Sequence, residues 1–164
     1  MSLIFFLEPT LFHRKNTIFG DNMSKKELNI VCFDNPFPPN YGGVIDVYYK
    51  LKALHKIGVK IHLHCFVKKI VNSEPDLKNY CESITYYKRS SLLKSFFSAI
   101  PFSVKNRDDK NLLENLSKNN FPILFEGFQT TNVLTYHDFE NRIFLRMLNN
   151  EANYYKGLSI SESV

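Results

Sequence analysis

Apolar residues change their rhythm twice between Asn29 and Phe66. Asn29 to Asp34 is a short apolar run with β-branched and aromatic members, the pattern of a strand buried on both faces of a parallel sheet. Pro36, Pro38 and Pro39 then fix φ and withhold three N–H donors, which stops the strand. The pair Gly42-Gly43 lets the backbone turn tightly into a helix. From Val44 the apolar residues Val44, Val47, Tyr48, Leu51, Leu54 and Ile57 recur at spacings of three and four, which puts one stripe on a helix of about four turns. Gly58 ends that helix. Val59 to Phe66 alternates Val, Ile, Leu and Cys with Lys and His, as expected of a strand with one less fully covered face. The whole is a βαβ unit.

The later pattern repeats the theme. Pro75 to Tyr80 reads as a short helix and Glu82 to Lys88 as a strand rich in β-formers. Ser90 to Ile100 reads as a helix with Leu92, Leu93, Phe96 and Phe97 inward, ended by Pro101. Asp108 to Asn119 gives another helix, with Leu112, Leu113 and Leu116 on one stripe and acidic residues in its first turn. Pro122 to Glu126 is a buried strand, and Arg142 to Met147 a further one. The expected fold class is α/β: a Rossmann-like open parallel sheet with helices on both faces. Residues 1–22 break this pattern. LIFFL is too short to span a membrane and lacks the flanks of a secretory signal, while MSKKELNIVCF from Met23 reads like a cytoplasmic start. We therefore expect residues 1–22 to be a poorly packed extension and residues 23–164 to be the domain.

In open parallel sheets, ligands bind beyond the carboxyl ends of the strands, where N–H groups at helix N-termini favour negative charge. Gly42 and Gly43 fall at such an end, either as a ligand-facing loop or as a plain turn into the helix. Glu126-Gly127 falls on the same rim, so Glu126 is a ligand-contacting candidate or a solvated loop acid. There is no GxGxxG and no GxxxxGK[ST], which argues against a standard dinucleotide-binding unit and a P-loop NTPase.

Composition agrees with one globular domain, at 44% hydrophobic and 15% aromatic residues. The net charge of +5 is spread over scattered lysines, among them Lys50, Lys52, Lys56, Lys60, Lys68 and Lys69, read here as a solvated face. Such charge could still draw an anionic nucleotide, a lipid-linked pyrophosphate or an anionic membrane surface, giving peripheral membrane contact. No nucleic-acid-binding signature accompanies it, so nucleic acid is not an expected partner. Cys32, Cys65 and Cys81 lack CxxC spacing and read as small core residues in a reducing compartment. His62 and His64 alternate on one strand face with no further ligand cluster, so no metal is expected and a surface role is assigned to both.

The segment PPNYGGVIDVYYKLKALHKIGVKIHLHCF resembles the opening of the N-terminal domain of GT-B glycosyltransferases of the group 1 or type 4 kind, where a strand leads to P-x-x-GG and then to a helix ending in L-x-x-x-G. PILFEGF (122–128) and RMLNNEANYY (146–155) are similar to further blocks of bacterial members, in which R-x-H-N is followed by E-x-x-Y-Y. The likeness spans about Asn29 to Ser159. It implies sugar transfer from a nucleotide sugar to a glycan or lipid-linked acceptor, with no cofactor, in a chain of cytoplasmic location. It also implies that this domain shapes the acceptor side, with Gly42, Gly43, Glu126, Asn149 and Glu151 on the substrate rim. Asn149 to Glu151 read alternatively as a helix N-cap followed by an early acid. The family's donor-binding motif E-x-x-x-x-x-x-x-E belongs to a second domain and would lie beyond Val164. Leu148 stands where the family block has His, and an aliphatic side chain moves no proton. We therefore expect an acceptor-side domain, incomplete at its carboxyl end and inactive as this polypeptide, with catalytic residues unassigned. The alternative is a stand-alone, non-catalytic α/β binding module or gene remnant.

Overall fold

The computed structural model describes residues 4–6, 26–70, 75–90 and 100–147. Six strands form one sheet: β1 (Ile4–Phe6), β2 (Glu27–Cys32), β3 (Lys60–Val67), β4 (Ser83–Lys88), β5 (Ile123–Glu126) and β6 (Ile143–Arg146). Their order is β1-β6-β5-β2-β3-β4, and the five strands β2 to β6 run parallel to one another. The helices are α1 (Gly42–Lys56), α2 (Pro75–Lys78), α3 (Phe102–Lys105) and α4 (Lys110–Leu116), with a 3-10 helix over Phe128–Thr135. This is the expected α/β, Rossmann-like architecture. Of the segment 1–22 only Ile4–Phe6 is described, and it pairs antiparallel with β6 as the sheet's edge strand. The helix expected over Ser90 to Ile100 falls almost wholly outside the described residues.

The sheet carries an apolar layer on each face. On one, Ile30, Ile61, Leu63 and Cys65 meet Val47, Tyr48 and Leu51 of α1 and Leu77 of α2. On the other, Val31, Phe66, Ile123 and Phe125 meet Leu112 and Leu116 of α4 and Val133 of the 3-10 helix. Strand side chains alternate between faces, so β2 and β3 must be apolar on both, which is why they read as near-continuous runs. The stripe on α1 is buried through Leu51 and stops mattering at Ile57, which caps the helix and is two-thirds exposed at 66%. Gly58 follows at φ 78°, a left-handed conformation that ends helices because glycine has no Cβ to clash. Asp109, expected inside the first turn of α4, instead caps it by accepting from the Asn111 N–H.

One part of the second face is polar. Toward the amino ends of β2 to β4, Asn29, His62, His64, Ser83 and Thr85 share it with Asn115 and Asn119 around a cavity of about 170 Å³. His64 is buried rather than on the surface, a correction to the reading of both histidines as surface residues. Its Nδ1 pairs with the Tyr87 hydroxyl at 2.8 Å and its Nε2 lies 3.4 Å from Asn29 Oδ1. The strand pattern could not show this, because the partners lie on β2 and β4. Among the described residues no group of three metal-ligating side chains occurs, and no helix is long and apolar enough to cross a membrane.

Candidate functional site at the carboxyl edge of the sheet

Strand order locates the site. The chain runs β2, β3, β4 toward one edge and then returns past β2 to lay down β5 and β6 on its other side. Between β2 and β5 the direction of winding reverses, the kind of point at which ligands bind outside the carboxyl ends of the strands in open parallel sheets. In register, the last residues of these strands are Cys32 and Glu126. The loop after β2 leads to Gly42 and Gly43 at the start of α1, so both glycines and Glu126 belong to the same edge. Asn149 and Glu151 lie outside the described residues.

The two glycines differ. A Cβ on Gly43 would lie 2.7 Å from the Phe33 ring, so close packing of the loop against the helix accounts for that position. A Cβ on Gly42 would meet nothing within 4 Å. Packing therefore does not explain Gly42. Tyr41, the N-cap, makes no side-chain capping bond, and no acid stands in the first turn of α1, so the positive end of its dipole is uncompensated there.

Glu126 is fully buried, which excludes the solvated loop acid. One carboxylate oxygen pairs with Lys50 Nζ, and the other accepts from Arg146 at 3.0 Å. Arg146 also pairs with Asp46, which lies 3.7 Å from Lys50 one helical turn away. Burial would pull the Arg146 pKa down, but Glu126 and Asp46 outweigh it and hold the guanidinium above its usual range. Two acids and two bases thus alternate in a closed, balanced set that ties α1, β5 and β6 together. Lys50, read as part of a solvated face, is in fact the partner of a buried acid. With one contact on each oxygen, Glu126 orients Lys50 and Arg146.

A second charged cluster sits on the other side of the loop. Arg89, just past β4, pairs with Asp34 at 3.0 Å and donates to the Phe33 and Phe66 carbonyls. Arg107 donates to the Phe33 carbonyl at 3.0 Å and to the Ser103 carbonyl at 2.6 Å. The Tyr41 hydroxyl donates to Asp34 at 2.9 Å, and burial together with that bond pushes its pKa up to about 12. Neither arginine was singled out from the sequence. A signal was available: the chain has five arginines among 21 basic residues, and Arg89, Arg107 and Arg146 all reach this edge.

No family model matches the chain. No solved structure matches it either. The chain is 28% identical over 145 residues to an uncharacterized 44.6 kDa protein in the cps region of Klebsiella pneumoniae. The alignment takes in 84% of this chain and 37% of that protein, so the chain spans little more than a third of the relative it matches. What geometry and comparison establish together is an α/β domain with a parallel sheet, distantly similar to a protein of a cps region.

Proposed function

We propose that this domain forms the acceptor-binding side of a glycosyltransferase of polysaccharide biosynthesis, one that passes a sugar from a nucleotide sugar to a glycan or lipid-linked acceptor. The observation that carries the reading is the Gly42-Gly43 loop entering α1 at the winding reversal, beside the buried Glu126 that fixes Lys50 and Arg146. The likeness to a protein of a cps (capsule) region supports the pathway. Exposed rings at Tyr41 and Phe128, flanking the edge, offer apolar faces on which a sugar ring or a lipid could stack. The donor would be held by the part of such a protein that this chain does not cover, with Asn149 and Glu151 completing the rim.

The test is calorimetric titration of the full chain with two panels. UDP- and GDP-sugars are expected to give no heat, and prenyl-pyrophosphate-linked saccharides are expected to bind. Tight nucleotide-sugar binding with silent acceptors would overturn the assignment.

A second reading is favoured by the engaged oxygens of Glu126 and by Leu148: a non-catalytic α/β binding module. Sequencing the DNA beyond the Val164 codon separates the two. A second α/β domain in any frame supports the transferase reading, and its absence supports the module.

A further inference from the structure

The two charge clusters at the edge are not alike. Around Glu126, two carboxylates meet two cations and the set is balanced. Around Phe33, two guanidiniums converge on one carbonyl oxygen, and of the two only Arg89 is paired with a carboxylate, Asp34. Arg107 is only 8% exposed, yet among the described residues it has no carboxylate within ion-pairing distance and donates only to neutral oxygens. A buried guanidinium without a counter-ion is costly, and the cost falls when an anion reaches it. Burial, followed by repulsion from Arg89, draws the Arg107 pKa down to about 10. Among the described residues, the buried Nε–H of Arg89 has no acceptor. Both arginines lie beside Tyr41, where the uncapped start of α1 adds partial positive charge.

We propose that Arg89 and Arg107 form a binding site for a phosphate-type dianion, a phosphomonoester or a pyrophosphate, which enters where the Asp34 carboxylate and the Tyr41 hydroxyl now stand. Asp34 is the placeholder. It satisfies Arg89 while the site is empty, and its side chain retains 29% exposure, so it can swing outward when a stronger anion arrives. Arginine suits the task because its planar fork matches phosphate oxygens two at a time. The site does not depend on sugar transfer, since charge alone defines its ligand.

The probe is inorganic pyrophosphate, titrated into the full chain by calorimetry at low salt, with UDP and geranyl pyrophosphate as separate arms. Wild type is expected to bind pyrophosphate. Asp34→Asn, which removes the competing carboxylate, is expected to bind at least tenfold more tightly, and Arg89→Gln at least tenfold more weakly. Binding of UDP assigns the site to a nucleotide, and binding of geranyl pyrophosphate to a lipid-linked phosphate; either sustains the proposal. If the arginines only staple the loop to the strand ends, Asp34→Asn will not tighten binding, and that result overturns it. Should a variant fail to fold, the Arg89 Nε–H proton resonance of the wild type decides: a shift that saturates with pyrophosphate supports the site, and an unmoved signal refutes it.

Discussion

Replacing Glu126 with glutamine should cost about 3–5 kcal/mol of folding stability, the penalty for breaking a buried ion pair while leaving its cations in place. The size follows from the surroundings. Glu126 is fully buried, and Lys50 and Arg146 are only 23% and 12% exposed, so water cannot readily take over the lost contacts. A domain of this kind has about 5–15 kcal/mol in all, so this one change removes a large share. Urea unfolding measures it as a fall in midpoint at unchanged slope. Adding Lys50→Met to Glu126→Gln should recover part of the loss, because one stranded cation disappears with it. A cost under about 0.5 kcal/mol, typical of surface changes, would mean that Glu126 is solvated in solution.

The second large effect concerns acid. Burial, with a smaller contribution from the charge of His62, lowers the His64 pKa from 6.5 to about 4. In the unfolded chain the ring takes up its proton near pH 6.5, while in the folded chain it stays neutral until about pH 4. Between these values the unfolded state binds more protons, so stability falls as pH falls. The contribution is fully present above pH 6.5 and is spent by about pH 4, amounting to roughly 3 kcal/mol over the window. The groups that fix the neutral ring are the Tyr87 hydroxyl, itself held by Asn115, and Asn29. His64→Gln should flatten the unfolding free energy between pH 6.5 and 4 relative to wild type. Parallel pH profiles for the two proteins would show that His64 does not carry the acid response.

These two residues also mark what the sequence could and could not convey. The βαβ unit was readable because its determinants are local: a run of β-formers, prolines that stop it, and a stripe at spacings of three and four that stays buried from Val44 to Leu51. β4, β5, β6, α2 and α4 were found within a few residues for the same reason, whereas α3 and the 3-10 helix were not expected and the helix read over Ser90 to Ile100 lies almost wholly outside the described residues. Strand order was not readable. Which neighbour β5 takes depends on crossovers that pay no local signal, and the winding reversal beside β2 is visible only in the sheet. Lys50 and Glu126 are 76 residues apart, so nothing near either one distinguishes that lysine from its solvated neighbours. His64 was misread because a period-two pattern gives the face of a side chain but not what covers it. The pairing of Ile4–Phe6 with β6 joins nearly opposite ends of the chain, beyond the reach of any window. Gly42 and Gly43 look identical in sequence, and only the position of the Phe33 ring separates the packed one from the open one.

The proposed acceptor role requires the carboxyl edge at Gly42 to be where a ligand meets this domain. An amide NMR titration of the full chain with a prenyl-pyrophosphate-linked saccharide tests that most directly. The largest shifts should fall on Gly42, Gly43 and the loop from Phe33 to Tyr41, with a smaller change at Lys50. Shifts confined to the polar cavity at His62, Ser83 and Asn119 on the far half of the sheet, or no saturable shifts at all, would contradict it.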